Sequence, residues 1–234
     1  MAKLYGVGVG PGDPDLLTIK ALKVIRSVKH LFVASSTKNQ YSLACRIISP
    51  HLPAEKEIRR LSFPMTYKKD ELKRAWEENA RVVAKALKTG DAAFLTLGDP
   101  NLYSTFSYLV REILKLVPDL QFEIVPGITA AQAAAARLKL TLAEGDETVL
   151  IASGAQGGEA VRQWAQQIDT LVLYKVYRQA EDILKALAES GRLKEVRGIS
   201  FCGMPEEKIY PNPSSEEGPF PYFTLFIVGG KALK

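Results

Sequence analysis

Three observations predict an α/β fold with mainly parallel sheets, in two domains. Short apolar runs rich in strand-forming residues alternate with amphipathic stretches of helical period along the whole chain. One run, Ala92–Leu97, is apolar on both faces, as a central parallel strand is when helices cover both sides of its sheet. The length of 234 residues, with 47% hydrophobic and 24% charged residues and a mean hydropathy of −0.03, suits one large domain or two small ones and excludes a disordered chain.

Leu4–Val9 reads as the first strand, closed by the turn GPGD. Asp15–Ser27 follows as a helix, with Leu16, Leu17, Ala21, Leu22 and Ile25 on one stripe. His30–Ala34 is a second short strand, and Ser42–Ser49 a short helix stopped by Pro50. Glu57–Phe63 reads as an edge strand, because Arg59 and Arg60 interrupt any fully buried run. Lys69–Thr89 is the clearest helix: Leu72, Trp76, Ala80, Val83, Ala84 and Leu87 share one face and Gly90 supplies the stop. After the strand Ala92–Leu97, the helix Ser104–Leu116 is halted by Pro118. The second set comprises strands at Phe122–Val125, Thr148–Ala152, Thr170–Tyr174, Val196–Cys202 and Phe223–Val228. Its helices fall at Ala130–Leu138, Glu159–Gln167 and Ala180–Ser190, and Pro211–Pro221 is a loop. The domains are expected at 1–117 and 118–234.

Composition narrows the function. A net charge of +5 and a pI near 9.1 are mildly basic, with charges scattered rather than blocked, which favours an anionic small molecule no less than nucleic acid. Cys45 and Cys202 stand far apart without zinc-ligand spacing, and His30 and His51 match no metal or triad pattern, so no metal is expected. The N-terminal MAKLYGVGVG lacks the plan of a signal peptide. The longest uncharged stretches, about thirteen residues and broken by Gly or Pro, fall short of a membrane span. A cytoplasmic protein without membrane or nucleic-acid partners is expected.

Three motifs bear on chemistry. Gly6–Asp13 (GVGVGPGD) follows the first strand; glycines there either make a tight turn or let backbone approach a ligand. It is not the dinucleotide fingerprint, because Pro11 stands where the third glycine belongs and no acid follows at ribose-binding distance, and no Walker A loop occurs. Leu95–Thr105 (LTLGDPNLYST) lies at the carboxyl end of the most buried strand, where ligands gather in open α/β sheets. Its Asp99 is either a turn former or a ligand-binding acid. Val125–Ala136 (VPGITAAQAAAA) opens an alanine-rich helix that suits close packing against backbone or against a flat ligand.

GPGD at Gly10–Asp13, GDP at Gly98–Pro100 and PGIT at Pro126–Thr129, in this order, resemble the tetrapyrrole methylase family over essentially the whole chain. The resemblance implies an S-adenosyl-L-methionine-dependent methyltransferase of cobalamin or sirohaem biosynthesis, with two α/β domains flanking a ligand cleft, a homodimer, and S-adenosyl-L-homocysteine as product. FPM at Phe63–Met65 and the run LTLGDPNLYST are most similar to the members that methylate C20 of precorrin-2 or cobalt-factor II. Carried over, the resemblance puts Pro11, Leu97, Gly98, Asp99, Leu102, Thr129, Ala130, Lys175 and Gly203 around the methyl donor. Lys175 stands where relatives often have methionine, so a backbone contact is what carries over there.

Methyl transfer from a sulfonium to an enamine-like meso carbon asks for alignment more than for a base. Asp13 and Tyr103 are the candidates for taking the meso proton. The macrocycle's carboxylates suit arginines, with Arg46, Arg59, Arg60, Arg137 and Arg178 as candidates, and Phe63, Met65 and Tyr67 could cover its flat face. The alternatives are another methylase of this fold, acting at a different corrin position, on a diphthine-type side chain or on RNA, and a non-catalytic nucleotide-binding module.

Overall fold

The computed structural model describes residues 2–36, 42–53, 55–64, 66, 68–216 and 219–233. The chain forms two compact units, Met1–Thr129 and Ala130–Lys234.

In the first unit, β1 (Lys3–Gly8), α1 (Ile19–Ser27), β2 (His30–Ser36), α2 (Leu43–Ile48), β3 (Ile58–Phe63), α3 (Lys69–Leu87), β4 (Ala92–Thr96), α4 (Phe106–Leu116) and β5 (Gln121–Val125) alternate along the chain. The five strands form one sheet in the order β3-β2-β4-β1-β5, every pair parallel. The period of two is visible in β4. Ala92 and Phe94 face a core with Val83 of α3 and Leu109 of α4, while Ala93 and Leu95 face one with Ile25 of α1 and Ile47 of α2. β3 lies at the edge, as its two arginines require, and both are exposed. The helix expected over Asp15–Ser27 is divided: Pro14–Leu16 is a 3-10 turn, and α1 starts only after Thr18, whose hydroxyl accepts from the Ala21 amide at 3.1 Å.

The second unit contains α5 (Ala130–Leu138), β6 (Leu140–Thr141), β7 (Val149–Ser153), α6 (Glu159–Trp164), β8 (Thr170–Tyr174), α7 (Ala180–Glu189), β9 (Val196–Ser200), β10 (Lys208–Tyr210), β11 (Thr224–Val228) and β12 (Lys231–Ala232). Its five-stranded sheet runs β10-β9-β11-β8-β7, and here the parallel expectation needs correction. β7 and β8 pair in parallel, but β11 is antiparallel to both β8 and β9, and β10 is antiparallel to β9. β10 follows β9 with no α-helix between them, and such consecutive strands pair antiparallel; β11 runs the same way as β10 and lies on the other side of β9. β7, β8 and β9 still point the same way, with β11 inserted against them. Leu171, Leu173 and Phe226 share a core with α6 and α7, while Val172, Leu225 and Ile227 are buried on the opposite face, where α5 lies against β11.

The units divide after Thr129, beyond the expected 117–118 boundary, because β5 pairs with β1 and belongs to the first sheet.

Candidate functional site

In the first unit the three motifs meet at the carboxyl ends of β1, β4 and β5. Gly10 and Gly98 form an isolated antiparallel bridge, with Gly98 N–H donating to Gly10 O at 2.8 Å and Gly10 N–H to Gly98 O at 3.3 Å. A Cβ on Gly127 would lie 2.2 Å from Gly98 O and 2.8 Å from Gly8 Cα; one on Gly8 would lie 2.5 Å from Gly98 O. The opposing atoms are backbone and cannot yield, so the junction accepts only glycine at these positions. Gly98 itself has φ +67.

Asp99 ties the junction together. One carboxylate oxygen accepts the Gly127 amide at 2.9 Å and the other the Asn101 amide at 2.7 Å. Of its two candidate roles the side chain fills the structural one, linking the GDP turn to the PGIT turn. Around this link Leu97, Leu102 and Thr129 are half-buried, while Pro11 and Gly98 are buried. Pro11, Leu97, Gly98, Asp99, Leu102 and Thr129 are thus gathered at one end of one sheet.

Ala130, Lys175 and Gly203 belong to the second unit. Lys175 follows β8 with φ +60, Phe201 follows β9 with φ +50, and Gly203 has φ +76. Non-glycine residues in the left-handed region are strained, and such strain concentrates at functional sites. Tyr103, with φ +51, holds the same conformation in the GDPNLYST run. Near Lys175 and Gly203 stands an aromatic group that sequence reasoning missed. Tyr177 contacts Tyr222 at 4.9 Å, Tyr222 contacts Phe223 at 4.9 Å, and Phe223 contacts Phe201 at 5.8 Å between ring centroids. These rings come from three separate stretches, at 177, 201 and 222–223, and only the insertion of β11 between β8 and β9 unites them, so no local pattern could have found them.

Asp13 caps the 3-10 turn, accepting the Asp15 amide at 2.9 Å, a local role that does not require chemistry. Burial pushes the Tyr103 phenol above its ordinary value, so at neutral pH it is a hydrogen-bond donor rather than a ready base.

The substrate candidates divide. Phe63 is a correction: it is buried and packs edge-to-face on Phe94 at 6.2 Å, so it fills the core and presents no face to a ligand. Arg137 is likewise committed, donating to one Glu207 oxygen from Nε at 2.9 Å and from Nη2 at 2.6 Å. Arg59 pairs with Glu57 at 3.4 Å, Arg60 is exposed on β3, Arg46 is half-buried on α2, and Arg178 lies 5.2 Å above the Tyr177 ring. Met65 and Tyr67 lie outside the described residues.

A family model described as tetrapyrrole (corrin/porphyrin) methylases matches residues 3–216. The chain belongs to the tetrapyrrole methylases. Among curated members of the family, the cobalt-precorrin-2 C(20)-methyltransferase of Salmonella typhimurium is 34% identical over 97% of this chain and 95% of its own length. A probable cobalt-precorrin-2 C(20)-methyltransferase of Methanocaldococcus jannaschii is 42% identical over 74% of this chain and 72% of its own. In structure, the tetrapyrrole methylase fold is shared with the uroporphyrin-III C-methyl transferase of Thermus thermophilus complexed with S-adenosyl homocysteine. That likeness has a TM-score of 0.68 and 23% identity over 97% of each chain. The sequence had marked the family through the turns that the structure brings together. Among the described residues, no helix of this tetrapyrrole methylase is long and apolar enough to cross a membrane.

Proposed function

We infer that this chain is an S-adenosyl-L-methionine-dependent methyltransferase that methylates C20 of a precorrin-2-type tetrapyrrole in cobalamin biosynthesis, with the cobalt complex as its substrate. The observation that carries the activity is the glycine junction of Gly8, Gly98 and Gly127 inside a tetrapyrrole methylase sequence. The cobalt form is favoured because two relatives, 34% and 42% identical, bear names that specify it.

The junction fits such a donor. A cradle that a single Cβ would fill brings backbone to the carboxyl ends of three parallel strands, where backbone amides and carbonyls can meet the donor's charged methionine part. When bound, the donor supplies an electrophilic methyl group on a sulfonium. What the chain must contribute is alignment, worth about 7–11 kcal/mol of barrier in well-oriented reactions, and this needs rigid backbone rather than titratable side chains. Gly98 and Leu97 would set the donor's depth, Thr129 would offer a hydroxyl, and Asp99 would keep the GDP and PGIT turns in register. Pro11 would add to the contact from the first turn and Leu102 from the GDP turn, and the resemblance assigns Ala130, Lys175 and Gly203 to the donor as well. Tyr103 would steady the substrate as a donor, and Arg46, Arg59, Arg60 and Arg178 would meet carboxylates. Homodimeric assembly and a cytoplasmic location complete the reading and rest on the resemblance alone.

The test is incubation with labelled methyl donor and, in parallel, cobalt-factor II and metal-free precorrin-2, with the new methyl located by NMR. Faster transfer to C20 of the cobalt complex is expected; transfer to another carbon, or to neither compound, overturns the reading.

A further inference from the structure

The two turns of the second unit that carry Lys175 and Gly203 are both tied to one helix, α5, at its opposite ends. At the amino end, the Ala131 amide donates to the phenol oxygen of Tyr174, the last residue of β8 and the neighbour of Lys175, at 2.9 Å. At the carboxyl end, Arg137 in the last turn of α5 grips one oxygen of Glu207 with two donors, at 2.9 and 2.6 Å. The other oxygen of Glu207 accepts the Gly203 amide at 2.7 Å. The Glu207 side chain is only 12% exposed, whereas that of Arg137 is 60% exposed. Met204 N–H to Phe201 O at 2.9 Å and Glu207 N–H to Met204 O at 3.0 Å complete the turn from Phe201 to Glu207.

We propose that Glu207 is a positioning residue for methyl-donor binding: its carboxylate, oriented by Arg137, fixes the Gly203 turn at a set distance along α5 from the Lys175 turn. This rests on the functional reading above, in which Gly203 approaches the donor. A turn already ordered before the donor arrives adds no ordering cost on binding, and preorganisation converts directly into affinity. A surface ion pair alone would contribute little. Here the carboxylate is mostly buried and also satisfies a backbone amide on the turn, which makes it a brace rather than a surface pair. Burial by itself would raise the Glu207 carboxyl, and the hydrogen bonds from Arg137 and Gly203 outweigh it and hold the group below its ordinary value. The brace is therefore charged wherever the enzyme is expected to work.

The experiment compares the parent chain with Glu207→Ala, Glu207→Gln and the charge exchange Arg137→Glu with Glu207→Arg. S-adenosyl-L-homocysteine affinity is read by calorimetry, Gly203 and Met204 amide exchange by mass spectrometry, and the KM for donor and for tetrapyrrole by kinetics. Glu207→Ala should weaken binding about tenfold, the loss of one charge-assisted hydrogen bond, and should raise the donor KM with the tetrapyrrole KM unchanged. Glu207→Gln keeps an acceptor for Gly203 and should fall between, and it carries the test if the alanine variant does not fold. The charge exchange should restore the unfolding midpoint but not donor affinity, because an arginine at 207 turns donors toward the Gly203 amide. A folded Glu207→Ala protein with affinity within twofold of the parent and unchanged exchange at Gly203 overturns the proposal. So does a charge exchange that restores affinity together with stability. A parent chain that binds no S-adenosyl-L-homocysteine instead overturns the functional reading, and the role of Glu207 with it.

Discussion

The two units solve the same problem, presenting loops at the ends of strands, with different materials. In the first, strands and helices alternate without exception, all five strands run parallel, and their carboxyl ends meet through glycine backbone. In the second, β11 enters between β8 and β9 from the opposite direction, so the residues before its amino end, Tyr222 and Phe223, stand among the turns that follow β8 and β9. One unit offers bare backbone held by Asp99, the other offers aromatic rings and turns held by ion pairs. A fully parallel sheet collects only strand ends of one polarity; a single reversed strand mixes in residues from the other.

The comparison breaks first if the glycine junction proves tolerant. Gly127→Ala should cost roughly 3 kcal/mol or prevent folding, since its Cβ would press on the Gly98 carbonyl oxygen and Gly8 Cα, and it should abolish donor binding. Gly191→Ala in the second unit has φ +73 but nothing within 4 Å, and should cost only about 1 kcal/mol, with binding unchanged. Urea midpoints and calorimetry on both variants decide the contrast.

Asp99→Ala comes next. It removes two backbone hydrogen bonds, and a loss of about 2 kcal/mol is expected, together with faster amide exchange at Gly127. Unchanged exchange at Gly127 would show that the turns hold their register without Asp99.

A smaller effect sharpens the second side. Tyr222→Ala and Tyr177→Ala should each destabilise modestly, and a double-mutant cycle should give a coupling of about 0.5–1.5 kcal/mol. A coupling of zero would show that the rings touch without mutual support.

The smallest effect is in pH dependence. Arg162, with the Gly158 amide, holds the Asp182 carboxyl down to about 2, and Arg137 and Gly203 hold Glu207 below its ordinary value. For groups whose folded value is depressed, the stabilisation is complete above the unfolded value, near 4 for these carboxyls, and is lost as pH falls through the folded value. Thermal melts from pH 6 down to about pH 2 should therefore show a steeper decline in the parent than in Arg162→Met, and parallel curves would contradict the assignment.

Much of the first unit was legible because each of its signals is local. Ala92–Leu97 is apolar on both faces because both faces are covered, and Arg59 and Arg60 mark an edge because no core can take them. The antiparallel pairing of β11 with β9 was also available in principle: no stretch of helical period lies between the runs Val196–Cys202 and Phe223–Val228. The donor-binding turns were legible as motifs, but their support was not. Nothing in MPEEK marks Glu207 as a partner of Arg137, 70 residues earlier, and the positive φ of Lys175 and Phe201 has no sequence signature in a lysine and a phenylalanine. Phe63 shows the opposite difficulty: an aromatic beside a motif suits a ligand face or the core equally, and only the structure shows Phe94 against it.

The central claim is that backbone at the glycine junction receives the methyl donor. The most direct measurement is a crystal structure of the chain with S-adenosyl-L-homocysteine. The account predicts the ligand's methionine part within hydrogen-bond distance of backbone at Leu97–Asp99 and of Thr129. A ligand seated instead against the exposed arginines of β3, or in the second unit without contact to Gly98, would contradict it.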